Sequence, residues 1–461
     1  MKGLEVSEVW LRNLNIELRF DAEYYKKMYL VEDNSLHHYE IAKIKKICYV
    51  TDGQHGYYQS DSNSDIRMLA AKNCKNYFAN TEDALLLAKW VDEKNKRSSL
   101  QCGDIILSTR GSVGCCAIVY KEVLPANINQ DVARIKLLDT NNFIPEFIIT
   151  FLNSKYGQHW MQRNQTGMVQ QGLPLDKVRD IPIPLIELDF QLRIENIVKT
   201  AHSKLEESKL LYATAENQLL EELGLKDWKP ENQNVNVKTF KESFLSSGRL
   251  DAEYYQSKYD EIEEHIKRMH HDVLDNLCLL VNHGMQPPYI ENGEMRVFSQ
   301  KWIKDSEIDY SFIDDINEPR TSLDFATSNP NYVCRKNDIV HYSVGANIGY
   351  CHTYLSNIPM MPGSFITLIR ANENKINPIY LGMVLNSVIG RIQSEKRKSG
   401  TAQPYVYPKD IREFLIPILP TSTQDDISSK IQKSFALKAE SKRLLEEAKL
   451  MVEQEIEKGG K

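Results

Sequence analysis

Phe20-Asp21-Ala22-Glu23-Tyr24-Tyr25 and Leu250-Asp251-Ala252-Glu253-Tyr254-Tyr255 share five consecutive residues, 230 positions apart. The coincidence does not stand alone. Residues 104–114 read DIILSTRGSVG and residues 338–349 read DIVHYSVGANIG, with one inserted residue. Leu152-Asn153-Ser154 recurs as Leu385-Asn386-Ser387, and Gly167 and Gln170 recur as Gly400 and Gln403. VRDIPIP at 178–184 is mirrored by IREFLIP at 411–417. Gln191, Ile194, Val198, Glu207, Ser208 and Lys209 then align with Gln424, Ile427, Ile431, Glu440, Ser441 and Lys442. Blocks recurring in one order at a nearly constant offset mean a duplicated unit. The period is far too long for a solenoid repeat, so each copy is a domain plus a connecting element.

Both copies have the same local pattern. DAEYY opens a helix, with Asp21 or Asp251 as N-cap and an acidic residue in the first turn. In the second copy Tyr255, Tyr259, Ile262, Ile266 and Met269 follow at helical spacing. The middle of each copy holds short β-like runs: Ile105 to Ser108, Cys116 to Tyr120 and Val132 to Leu138, then Ile339 to Val344 and Phe365 to Arg370. Each copy closes on a long helix. Ile194, Val198, Ala201, Leu205, Ser208, Tyr212, Ala215 and Leu219 keep 4-3 spacing, and Ile427, Ile431, Leu445, Ala448 and Val452 hold the same register. At 1.5 Å per residue each helix is about 50 Å long. Paired antiparallel, they would set two domains on the order of one turn of DNA apart. Gly224 caps the first helix and Pro230 forbids its continuation, placing the boundary between copies in residues 224–240.

The expected architecture is α+β: tandem pseudo-duplicated α/β domains joined by two long antiparallel coiled-coil helices. The expected segments are 1–187, 188–224 (central spacer), 225–420 and 421–461 (distal spacer).

Composition narrows the function classes. With 461 residues, 42% hydrophobic and 26% charged, the chain has material for two cores. It has no apolar run of membrane-spanning length and no basic-then-apolar start, so a cytoplasmic location is expected. Eight cysteines form no Cys-x-x-Cys pair, so neither disulfides nor a zinc site is expected. A net charge of −6 means that any nucleic-acid contact rests on local clusters. There is no Gly-x-x-x-x-Gly-Lys-Ser/Thr loop for ATP. Asn329-Pro330-Asn331-Tyr332 lacks the second proline of a methyltransferase base-holding loop, and Asp92-Glu93-Lys94 reads as a charged turn. No catalytic site, cofactor or metal is expected.

The twice-written DAEYY, the Gly-Asp-Ile-type strand before a Gly-x-x-Gly turn, the Gly-x-x-Gln loop and the closing heptad helix together resemble the type I restriction–modification specificity subunit family. The resemblance covers essentially the whole chain. It implies a non-catalytic protein whose halves each read one part of a split double-stranded DNA target. It also implies that the paired helices receive two methyltransferase subunits, with motor-nuclease restriction subunits as further partners. Residues 49–100 and 282–335 share almost nothing, as two different half-sites would require.

Two loops at matching places are the candidate DNA contacts. Residues 162–172 (QRNQTGMVQQG) offer Arg163, Asn164, Gln165, Gln170 and Gln171; residues 390–403 (GRIQSEKRKSGTAQ) offer Arg391, Lys396, Arg397, Lys398 and Gln403. Arg and Lys neutralise phosphates, whereas Arg, Asn and Gln pair with base edges. Arg110 beside the first glycine turn is a further candidate, as are Lys72, Lys75, Tyr77, Tyr289 and Arg320 in the divergent segments. Ile194, Val198, Ala201, Leu205, Tyr212, Leu219, Ile427, Ile431, Leu445 and Val452 form the expected spacer and subunit-docking face. The competing reading is a coiled-coil scaffold that does not act on DNA.

Overall fold

The computed structural model describes residues 5–10, 20–56, 59–75, 77–167, 171–230, 235–400 and 402–459. The chain divides into two compact units, residues 1–206 with 438–461, and residues 207–437. Each long helix is therefore shared: Leu188–Glu222 begins in unit 1 and ends in unit 2, and Thr421–Gly459 does the reverse.

Unit 1 is built on a five-stranded sheet. Its middle strand, Val132–Leu137, pairs antiparallel with Cys48–Asp52 on one side and Ile105–Ser108 on the other; Cys116–Ile118 and Tyr77–Phe78 extend the latter edge. Helices Pro145–Asn153 and Lys155–Arg163 pack with this sheet, and Phe147, Phe151 and Leu152 are fully buried. Unit 2 repeats the plan with Ile366–Ala371 between Cys278–His283 and Ile339–Tyr342, followed by Cys351–Thr353.

The divergent segments carry one fold in two sequences. In unit 1, Arg67–Leu69 pairs antiparallel with Leu85–Leu86 and parallel with Ala126–Ile128. In unit 2, Met295–Phe298 pairs antiparallel with Arg320–Thr321 and parallel with Met360–Pro362. The topology is shared although the residues are not.

DAEYY departs from expectation. Ala22–Tyr25 and Ala252–Tyr255 are single 3-10 turns, and the α-helices start only at Lys27 and Ser257. Asp21 caps its turn by accepting from the Tyr24 N–H at 3.1 Å. Asp251 makes no cap bond; it accepts from Arg249 Nε at 2.8 Å, and that hydrogen bond holds its carboxyl below the usual carboxylate range.

The repeated polar residues have repeated structural work. Asp104 and Asp338 each accept the N–H of the residue three before them, Gln101 and Arg335, and each meets an arginine of the central strand, Arg134 or Arg370, at 2.7 Å. Gln191 and Gln424 each accept the N–H just before a proline-started helix, from Ile144 and Asn377 at 3.0 Å. Arg179 and Arg412 donate to the Val50 and Val281 carbonyls of the sheet-edge strands. Gly157 and Gly390 permit a tight turn between two helices: a Cβ there would lie 2.4 Å from the Phe151 carbonyl oxygen or 2.0 Å from that of Leu385.

The long helices pair through small residues within each unit. In unit 2, Ser208 and Ser434 donate to each other's carbonyls at 2.8 Å, and Gln218 reaches Asp426, so the segments run antiparallel. In unit 1 the repeat-mate of Ser208, Ser441, donates to the Ala201 carbonyl at 2.7 Å. Ile194, Val198, Ala201, Leu445 and Val452 join the core of unit 1, and Leu219 and Ile427 that of unit 2. Leu205, Tyr212 and Ile431 are half-buried against these cores. These helices thus both pair and lie on their domains.

Unit 2 hides two histidines where unit 1 has Leu107 and Ala117. Burial pushes His341 down to about 3 and His352 down to about 4. Both are neutral when folded and titrate near 6.5 when unfolded. Their contribution is complete above pH 6.5 and is lost as pH falls through the window toward 3. Each histidine then removes about 1.4 kcal/mol per pH unit in the upper part of that window. Denaturant midpoints of unit 2 should therefore fall between pH 6.5 and 4.5, and fall less in H341L/H352A; equal slopes would contradict the burial.

Candidate functional site

In each unit a hairpin loop and an interhelical loop meet on the surface. In unit 1, Leu173 N–H donates to the Thr109 carbonyl at 2.9 Å and Arg110 bridges to Gly172, while Thr166 and Gly172 exchange hydrogen bonds. In unit 2, Val406 donates to Ser343 at 2.9 Å, Gly345 to Pro404 at 2.9 Å, and Ser399 and Tyr405 exchange bonds. Gly167 and Gly400 hold φ of 102° and 89°, a left-handed conformation that explains why glycine is written at both places.

This framework sorts the expected contacts. Arg110, Gln171, Lys398 and Gln403 are exposed on the paired loops, and Gln165 is half-buried beside them. Arg110 lies 3.6 Å from Asp131, a solvent-facing pair that leaves the guanidinium accessible. Gln170 lies outside the described residues.

Several other candidates are structural instead. Residues 388–397 are helix rather than loop, and Gln162 and Arg163 end the helix Lys155–Arg163. Arg163 donates to Asp33 at 2.7 Å with its guanidinium 4.0 Å from the Tyr24 ring, its side chain 9% exposed. Its repeat-mate Lys396 donates to Glu263 at 2.6 Å, lies 5.3 Å from the Tyr254 ring and is 10% exposed. DAEYY is thus one wall of a cation clamp. Arg397, 11% exposed, lies against Glu263 and Phe414; Asn164 is buried and donates to Trp160. Arg391 is half-buried, donating to the Asn386 carbonyl and pairing with Asp305. Tyr77 is core, and Lys72 donates to the Asp83 carbonyl. Arg320 donates to the Gly293 carbonyl at 3.4 Å. Tyr289 is exposed, as is Lys75.

The same correction applies to docking. Ile194, Val198, Ala201, Leu219, Ile427 and Val452 are fully buried inside this chain and present nothing to another subunit. Among the described residues, the exposed large apolar side chains of these helices are Leu188, Leu192, Leu210 and Leu450.

Sequence reading missed an aromatic step in unit 2. Tyr405 lies 5.2 Å from His283 and 4.3 Å from Tyr407, whose ring is exposed with Lys409 at 5.7 Å. Unit 1 has Gly172 and Pro174 at the matching places, so the repeat gave no signal.

Residues 38–214 match the family described as the type I restriction modification DNA specificity domain. The matched segment takes in the unit 1 sheet, both of its paired loops and the first part of the long helix. A curated relative, the specificity subunit of the type I restriction enzyme EcoBI from Escherichia coli, is 28% identical over 121 residues. That likeness spans a quarter of this chain and a quarter of the relative's length. Among solved structures, the S subunit of a type I restriction–modification system from M. genitalium aligns with 14% identity and a TM-score of 0.44, covering 91% of this chain and 96% of its own. The HsdS subunit from Thermoanaerobacter tengcongensis aligns with 14% identity and a TM-score of 0.29, covering 91% and 97%. Among the described residues no helix is long and apolar enough to cross a membrane.

Proposed function

We propose that this chain is the DNA-specificity subunit of a type I restriction–modification complex. Each half is a target recognition domain, covering 1–187 and 225–420, and the helices 188–224 and 421–461 are spacers. The observation that carries the reading is the match of residues 38–214 to the specificity-domain family, joined to a second half that repeats four of the five strands of its sheet and both paired loops. The chain reads a bipartite target and performs no chemistry; two methyltransferase subunits supply it, and restriction subunits are further partners of the assembly. Such a protein works in the cytoplasm.

Each half contacts DNA through its paired loops. Arg110, Gln165 and Gln171 serve the first half-site and Lys398 and Gln403 the second. Lys398 as a phosphate contact and the amides as base contacts follow from their donor and acceptor sets. Methylome sequencing of a host carrying the chain and its methyltransferase, beside one lacking only the chain, tests the assignment. A split methylated motif should vanish with the chain; an unchanged methylome would refute it. At the residue level, K398A should weaken binding several-fold and reduce the slope of log affinity against log salt by about 0.9. An unchanged slope would remove Lys398 from the interface.

A further inference from the structure

Glu122, His202 and Glu206 each place a ligand atom so that all three lie within 4.8 Å of one another. None of them belongs to the paired loops. His202 and Glu206 are one turn apart on the first long helix, so they share a face. Glu122 comes from the turn Lys121–Val123, and its carboxylate is hydrogen-bonded to His202 Nε2. The imidazole is held in direction by two rings, Tyr120 at 4.3 Å and Phe78 at 4.9 Å.

The duplication shows that packing does not need these groups. At the matching helix positions the second copy of the repeat has Phe435 and Ala439, and Phe435 packs 5.1 Å from the Tyr310 ring. The matching turn, Tyr354-Leu355-Ser356-Asn357, has no carboxylate. One copy fills the place with apolar contacts; the other fills it with three residues able to ligate a metal, two carboxylates and an imidazole.

We propose that Glu122, His202 and Glu206 bind one divalent transition-metal ion of the Zn2+ or Co2+ class. Two carboxylates balance the charge of a dication, and an imidazole selects these ions over Mg2+ and Ca2+. Ligand bonds of about 2.0–2.2 Å from three residues leave a further position for water. Glu122 is exposed, which gives the ion a path in. Cysteine spacing gave no hint of the site because it uses no cysteine and draws Glu122 from a distant turn. The bound ion ties that turn to the long helix, so it stabilises unit 1.

Co2+ titrated into the chelator-stripped chain tests this. The expected result is one saturable site with weak visible bands and no thiolate charge-transfer absorption, together with a rise in the thermal midpoint. H202F/E206A, which installs the residues of the other copy, should abolish both the bands and the shift. E122Q, at an exposed side chain, should do the same without burden on folding. Absence of saturable uptake by the wild-type chain, uptake unchanged in both variants, or a thiolate spectrum would overturn the proposal.

Discussion

Replacing Val198 by Asp is expected to unfold unit 1. Val198 is fully buried in the core that joins the paired helices to the sheet domain, with Ile194, Ala201, Leu445 and Val452 in the same cluster. Losing the burial of the side chain costs about 2 kcal/mol. The introduced carboxyl must then either stay charged away from water or take up a proton against its normal pKa, adding several kcal/mol more. The sum of roughly 5 kcal/mol or more is comparable with the whole stability of a typical domain. Leu205→Asp, on a half-buried position, should cost less, and Leu210→Asp, at 68% exposure, should stay within about 0.5 kcal/mol. Denaturant unfolding of the three variants checks the series. A folded Val198→Asp with the wild-type midpoint would show that this face is not the chain's own core. The ordering matters for assembly too, because a subunit that docks along these helices must use their outer residues.

How far the sequence reached depended on the distance over which each constraint acts. The duplication was legible because short motifs fix local geometry: glycines with positive φ at 167 and 400, the turn aspartates 104 and 338, the helix-start glutamines 191 and 424. The long helices were legible from spacing alone, since burial on one face imposes a period. The divergent segments were not. Their strands are two to four residues long, too short for alternation to register, and their order is set by parallel pairing with strands some 60 residues away. The basic cluster at 391–398 misled for a related reason. Charge counts do not show burial, and the partner that neutralises Lys396 is Glu263, 133 positions earlier. A usable signal existed: Arg163 and Lys396 fall at matching places in the repeat, as do Asp33 and Glu263, so a cation and an acid recur together. Contacts that read two different half-sites have no reason to recur, whereas a structural clamp does.

That distinction is sharpest at the paired Asp–Arg contacts beneath the loops. Arg134→Met should destabilise unit 1 by about 3–5 kcal/mol, because it strands a carboxylate inside the protein. Asp104 is 3% exposed and Arg134 5%; besides Arg134 Nε it accepts only the Gln101 N–H among its described hydrogen bonds. Burial pushes the Asp104 carboxyl up, and the Arg134 charge opposes that push. Without the guanidinium, only the Gln101 N–H and the Lys136 charge still oppose that push, and the folded pKa rises further above its unfolded value of about 3.9. Stability tied to such a raised pKa is present below the unfolded value and disappears as pH climbs through the folded one. The deficit of Arg134→Met should therefore narrow on acidification, and Asp104→Asn in the same chain should recover much of it at neutral pH. The matching change Arg370→Met should cost less, about 1–3 kcal/mol, because Arg370 is 24% exposed and water can take its place. Denaturant midpoints against pH for both single variants and the double variant read these effects directly. Equal losses at the two sites, or a loss at Arg134 indifferent to pH, would mean that the arginine packs rather than neutralises. The pair would then explain the recurrence of the motif without explaining its charge.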